Sequence, residues 1–146
     1  MPPRRQCAKL KLDFNGFAGG RMTSQILAMV FVQLVAAGLG GYALTLWFLK
    51  ARNLTVIGFH AVAGLAGIET LGANIRLSDL PADAPARGIA LLSLELFGAA
   101  VVAGLVSALI GKRRPQLANL LLAVHVVGAL AALFAALSFA RDVSGA

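Results

Sequence analysis

Four uninterrupted apolar stretches, each closed by charge, constrain this chain more than any other feature. Residues 24–49 (SQILAMVFVQLVAAGLGGYALTLWFL) end against Lys50 and Arg52, and residues 54–75 stop at Arg76. Residues 88–111 follow Arg87 and end at Lys112-Arg113-Arg114-Pro115, and residues 116–140 end at Arg141-Asp142. A hydrocarbon core about 30 Å thick needs roughly 20 apolar residues of helix, so each stretch is long enough to span. Hydrophobic residues make up 59 % of the 146 and charged residues 13 %, with a mean hydropathy of +0.83. A soluble domain this small buries only about two-thirds of what its unfolded chain exposes and could not hide that much apolar surface. A disordered chain would be poor in aliphatic residues. No segment alternates with the period of a membrane β-strand. The expected fold class is an all-α membrane protein, a four-transmembrane-helix bundle over residues 24–140 embedded in a lipid bilayer.

The turns 51–53 and 112–115 are short, so the spans pair as two antiparallel hairpins. The connector 76–87 carries Asp79, Pro81, Asp83 and Pro85 and reads as an exposed loop. Residues 141–146 form a short C-terminal tail. The first span is too long for a signal-peptide core, so it is expected to be retained. Residues 1–23 are polar, basic and without helical periodicity. They read either as an arm lying on anionic headgroups or as an untranslated stretch preceding a start at Met22. Orientation turns on that choice. Lys50, Arg52, Lys112, Arg113 and Arg114 sit in the two turns, against Arg76, Arg87 and Arg141 on the other side. The tail would add Arg4, Arg5, Lys9, Lys11 and Arg21 to that other side. By the positive-inside rule the termini are cytoplasmic with the tail and the turns without it; the dense Lys112–Arg114 cluster leans toward the turns.

Cys7, the lone cysteine, excludes an intramolecular disulfide framework. No HExxH, zinc or Ser/His/Asp pattern is present. The basic residues lack the interleaved aromatics of a single-strand surface, so nucleic acid is not an expected partner. Gly38-Leu39-Gly40-Gly41 lies mid-span with no Lys-Ser/Thr after it and reads as close helix packing rather than a phosphate loop. Gln33 is a lone intramembrane amide expected to hydrogen-bond across the bundle, and Trp47 suits the interfacial aromatic belt.

The hairpins resemble each other. A shift of 65 aligns His60 with His125 (HAVAGLAG with HVVGALAA) and Arg76 with Arg141. Such a tandem repeat would have its pseudo-twofold axis along the membrane normal; chance coincidence among Ala, Leu, Val and Gly is the alternative. Spans two and four run in the same direction, so both histidines lie at similar depth.

His60 and His125 are the only histidines, and intramembrane ionisable residues usually face a bundle interior. Gly and Ala dominate the faces leading away from them. Two neutral imidazoles at one depth on different helices are what axial ligation of b-type haem iron needs. Interhelical packing and hydrogen bonding is the plainer reading. Glu69 and Glu95 share the spacing E-x-x-G-A and lie about seven residues from the connector. They read as a carboxylate pair that exchanges protons with a quinone or holds an ion, or as side chains reaching individually for Arg76 or Arg87.

Leu94-Glu95-Leu96-Phe97-Gly98-Ala99, with Gly104 beyond and a basic turn after, resembles the third-helix signature of DoxX-type four-helix membrane proteins. That resemblance implies membrane quinone redox chemistry. Three functions stay open: a small redox subunit of a bacterial-type inner membrane, carrying haem b and exchanging electrons with quinone; a structural or assembly subunit; and a small proton-coupled transporter. All three imply a homo-oligomer or a larger membrane complex, and no self-contained active site is evident.

Overall fold

The computed structural model describes residues 14–145, with side chains from residue 24 onward. Arg4, Arg5, Lys9 and Lys11 of the expected basic arm, and Cys7, lie outside the described residues. The chain forms α1 (Phe14–Phe48), α2 (Leu54–Leu77), α3 (Pro85–Ile110) and α4 (Pro115–Ser144). All four are long and apolar enough to cross a membrane, and no strand occurs among the described residues. The protein is an integral, multi-pass, four-helix bundle.

The helices outrun the apolar stretches. α1 begins at Phe14, inside the segment expected to lack helix. α2 continues through Arg76 and Leu77, and α3 starts at Pro85, which shortens the connector to residues 78–84. Proline suits that first position because its missing N–H would have no helical partner anyway. α4 absorbs Arg141 and Asp142 and ends at Ser144, capped by Gly145, whose φ is 71°.

The first basic turn is closed by local chemistry. Asn53 caps α2, its Oδ1 accepting from the N–H groups of Thr55 (3.0 Å) and Val56 (3.3 Å). Lys50 adopts a left-handed φ of 56°. Its N–H donates to Trp47 O (3.1 Å), and Ala51 N–H donates to Leu46 O (3.0 Å). Those two bonds make a Schellman motif, with lysine where glycine is usual.

The repeat seen in sequence recurs in burial. A shift of 64 carries buried Ile26, Met29 and Ala36 of α1 onto buried Ala90, Ser93 and Ala100 of α3. A shift of 65 carries buried Gly67, Leu71, Asn74 and Ile75 of α2 onto buried Ala132, Ala136, Phe139 and Ala140 of α4. Neighbouring helices are α1·α2, α3·α4, α2·α3 and α1·α4, so α2 and α4 stand across the diagonal. Exchanging the hairpins maps α2·α3 onto α1·α4, as a pseudo-twofold along the bundle requires.

Packing differs along that axis. Ile26, Met29, Leu71, Ile75, Ala90, Ala136, Phe139 and Ala140 draw all four helices together at the end carrying the 78–84 loop. Each hairpin packs more closely within itself than against the other. Toward the basic turns a side-chain hydrogen bond joins the hairpins: Trp47 Nε1–H donates to Asn119 Oδ1 at 3.2 Å, and the Arg52 guanidinium of the same hairpin as Trp47 lies 4.6 Å over its ring.

Candidate functional site

His60 on α2 and His125 on α4 meet at the centre of the bundle. Their ring centroids are 5.8 Å apart and their planes stand at 89°. The same device holds each ring. His60 Nδ1 lies 2.9 Å from Ala36 O on α1, and His125 Nδ1 lies 2.7 Å from Ala100 O on α3. A carbonyl only accepts, so each Nδ1 carries the proton and donates. In the neutral imidazole that leaves Nε2 with the lone pair.

One turn beyond each carbonyl is a glycine that makes room for the ring. A Cβ at Gly40 would fall 2.8 Å from His60 Cε1, and one at Gly104 would fall 2.7 Å from His125 Nδ1. Ala36 and Gly40 map onto Ala100 and Gly104 by the shift of 64 that relates the buried seams. The histidine pair is therefore the pseudo-twofold element itself, built twice from Ala-x-x-x-Gly on one helix and His on the next. Gly64, one turn from His60, is half-buried with nothing within 4 Å of where a side chain would begin.

Chemically, the arrangement offers two orientated nitrogen ligands and little else. Among the described residues no group of three or more His, Cys, Asp or Glu comes together. A bare transition-metal ion commonly takes four or more donors, so two imidazoles suit an iron whose equatorial positions a porphyrin already fills. The rings stand 5.8 Å apart in a T-shaped arrangement, close enough for one ligand to meet both. The Nδ1–H···O=C anchoring is of the kind that fixes tautomer and ring plane in metal-ligating histidines generally.

Glu69 and Glu95 are not brought into this centre. Both are exposed on the outside of the bundle, on α2 and α3. Each stands two residues past a buried one, Gly67 or Ser93, which at about 100° per residue turns it roughly 200° from the seam. Among the described residues no ion pair or hydrogen bond joins them to each other or to Arg76 or Arg87; the one ion pair there is Arg141 with Asp142, at 3.9 Å. Arg87 instead donates to Leu80 O at 3.0 Å, closing the connector. Facing outward, the two carboxyls line no path through a single copy.

Gln33 departs from its expected role. It is 3 % exposed, on the buried seam of α1, and neither Nε2 nor Oε1 has a partner. Two serines outside the expected set instead bond α3 to α4. Ser93 donates to Ala132 O (2.7 Å) and Ser107 to Ala118 O (2.8 Å). Their signal was position, since each recurs on the Ala/Gly seam of α3.

No protein-family model, curated protein or solved structure matches this chain.

Proposed function

We propose that this protein is a small membrane redox subunit that holds a b-type haem between His60 and His125. The observation that carries the reading is the pair itself: two imidazoles 5.8 Å apart on diagonal helices, each anchored through Nδ1 to a neighbouring carbonyl. Simple packing asks neither for two such anchors nor for their repetition about an axis. In this reading Nε2 of each residue would hold the iron, Ala36 and Ala100 fix the ring planes, and Gly40 and Gly104 admit the rings. Gly64, one turn from His60, keeps open space where a side chain would begin. The half toward the basic turns can part most readily, because the shared apolar core lies at the other end.

Bound haem would supply one-electron exchange. Glu69 and Glu95, turned toward lipid, are the carboxyls available to trade protons with a quinone dissolved in the bilayer, the partner that the DoxX resemblance implies. We assign the protein to a bacterial-type inner membrane on the same grounds.

The outward glutamates also favour a second reading, a subunit of a homo-oligomer or larger membrane complex. A carboxylate facing hydrocarbon at a helix centre costs roughly 2.5–3.5 kcal/mol on insertion scales, which a neighbouring subunit could offset.

The test is a dithionite-reduced minus oxidised absorbance spectrum of the purified full chain, expressed with ample haem. Sharp α and Soret bands that disappear in both His60→Ala and His125→Ala support the haem reading. A flat spectrum from folded wild-type protein sinks it and leaves the assembly reading.

A further inference from the structure

The two basic turns carry cations with no acidic residue near them. Lys50 and Arg52 stand in the first, Lys112, Arg113 and Arg114 in the second, and all five are exposed. The described acids, Glu69, Asp79, Asp83, Glu95 and Asp142, all belong to the half of the bundle nearer the 78–84 connector. The one ion pair among the described residues, Arg141 with Asp142, lies at that other end too. The fold then brings the two turns together. A Cβ at Gly111, which caps α3, would fall 3.1 Å from Arg52 Nη2 and 3.3 Å from Trp47 Cη2. Arg52 therefore reaches across to the other hairpin at the point where the Lys112–Arg114 run begins. Like charges gathered in this way repel, and an anion shared between them turns the repulsion into attraction. The surroundings select the kind of anion. Leu49 and Leu109, just inside the turns, face outward, and an open hollow of about 330 Å³ is lined by Arg114, Pro115, Gln116 and Leu117. Guanidinium and leucine on one hollow suit an amphiphile, with its charge at headgroup depth and its chain along the helices.

We propose that the basic-turn end is a binding site for an anionic phospholipid, whose phosphate bridges Arg52 of one hairpin and the Lys112–Arg114 run of the other. The bound headgroup fastens the hairpins at the end that the shared apolar core does not reach. The site is separate from the histidine pair and does not depend on the haem reading.

The test titrates the detergent-purified full chain with mixed micelles of phosphatidylglycerol or of phosphatidylcholine with the same acyl chains. Bound lipid is read by native mass spectrometry, alongside the melting temperature. Phosphatidylglycerol is expected to be retained and to raise the melting temperature, and phosphatidylcholine to do neither. Arg52→Gln, and separately Arg113→Gln with Arg114→Gln, should weaken that retention roughly fivefold per charge removed. Arg76→Gln at the connector end should leave it unchanged. Should Arg52→Gln fail to fold for want of its stacking on Trp47, Lys112→Gln joins the exposed-turn pair as the test. Equal retention of the two lipids would overturn the proposal. A fall in Arg76→Gln as large as in the turn variants would overturn it as well, since it would mean diffuse attraction to a cationic chain. Full retention in a folded Arg52→Gln protein would remove the bridge between hairpins. Glycerol 3-phosphate reproducing the rise in melting temperature would replace the lipid with free phosphate.

Discussion

His60 and His125 approach edge to face across the diagonal of the bundle, 5.8 Å between ring centres, and each is held by a backbone carbonyl of the preceding helix. The carbonyl acceptors decide the chemistry. By taking the Nδ1 protons they commit both rings to one tautomer and one plane, so the remaining nitrogens are orientated before any ligand arrives. Such preorganisation cuts the entropy cost of binding.

The glycines under the rings give the first expectation. Gly40→Ala and Gly104→Ala would each put a methyl under 3 Å from an imidazole that its hydrogen bond holds in place. Overpacking of this kind costs about 1–3 kcal/mol. Gly104 should be the worse site, because its methyl meets Nδ1, Cε1 and Cγ of His125 together. Gly38→Ala and Gly41→Ala, with nothing within 4 Å, should gain about 0.5–1 kcal/mol from helix propensity. Thermal unfolding in detergent separates the two sets; equal losses at all four would contradict the ring contacts.

Ser93 and Ser107 set the second. Both hydroxyls are buried and donate from α3 to carbonyls of α4. The shift of 64 puts Met29 and Ala43 at the matching places of the first hairpin, which have no hydroxyl to give. Ser93→Ala and Ser107→Ala should each cost about 0.6 kcal/mol and no more than about 1.7, the range found for polar contacts between membrane helices. Hydrogen exchange in nanodiscs should show wild-type α3 and α4 opening less readily than α1 and α2, with the double variant narrowing the gap.

The spans were legible because charge ended each apolar run, and a charge is cheap only where the helix leaves the bilayer. The helix ends were not: Pro85 reads as a loop residue in composition, yet it opens α3. Similar depth for the histidines followed from hairpin topology. Their meeting did not, because membrane helices are apolar on all sides and the inward face is marked only by Gly, Ala and Ser. The outward turn of Glu69 was present in the numbering. Nine residues separate it from His60, which at about 100° per residue places the two on opposite sides of α2.

Lys50 supplies a third expectation. It sits at φ 56° in the Schellman position that ends α1. A left-handed conformation costs a residue with a Cβ roughly 1–2 kcal/mol, and glycine avoids that cost. Lys50→Gly should therefore stabilise the protein by about 1 kcal/mol. Lys50→Ala removes the same charge without relieving the backbone and should change little. A gain in both variants would point to charge repulsion with Lys112, Arg113 and Arg114 instead.

The join at the basic turns gives the last expectation. Trp47 on α1 donates its indole N–H to Asn119 on α4, while Arg52 stacks on the same ring. Trp47→Phe keeps a face for the guanidinium and loses the donor, and Asn119→Ala loses the acceptor. A double-mutant cycle on unfolding should give a coupling of about 0.5–1 kcal/mol, modest because the bond lies at the exposed end of the bundle. Arg52→Ala should subtract a further contribution of about 0.5–1 kcal/mol that vanishes in the Trp47→Ala background. The position of this clamp gives it a further consequence. The apolar core closes the opposite end, so loosening Trp47 should free the hairpins where the imidazoles meet. Cysteines placed on α1 and α4 near the basic turns should then cross-link more slowly in Trp47→Phe, while a pair near Ile26 and Ala140 keeps its rate. Equal slowing at both ends would show instead that the hairpins separate as one rigid unit.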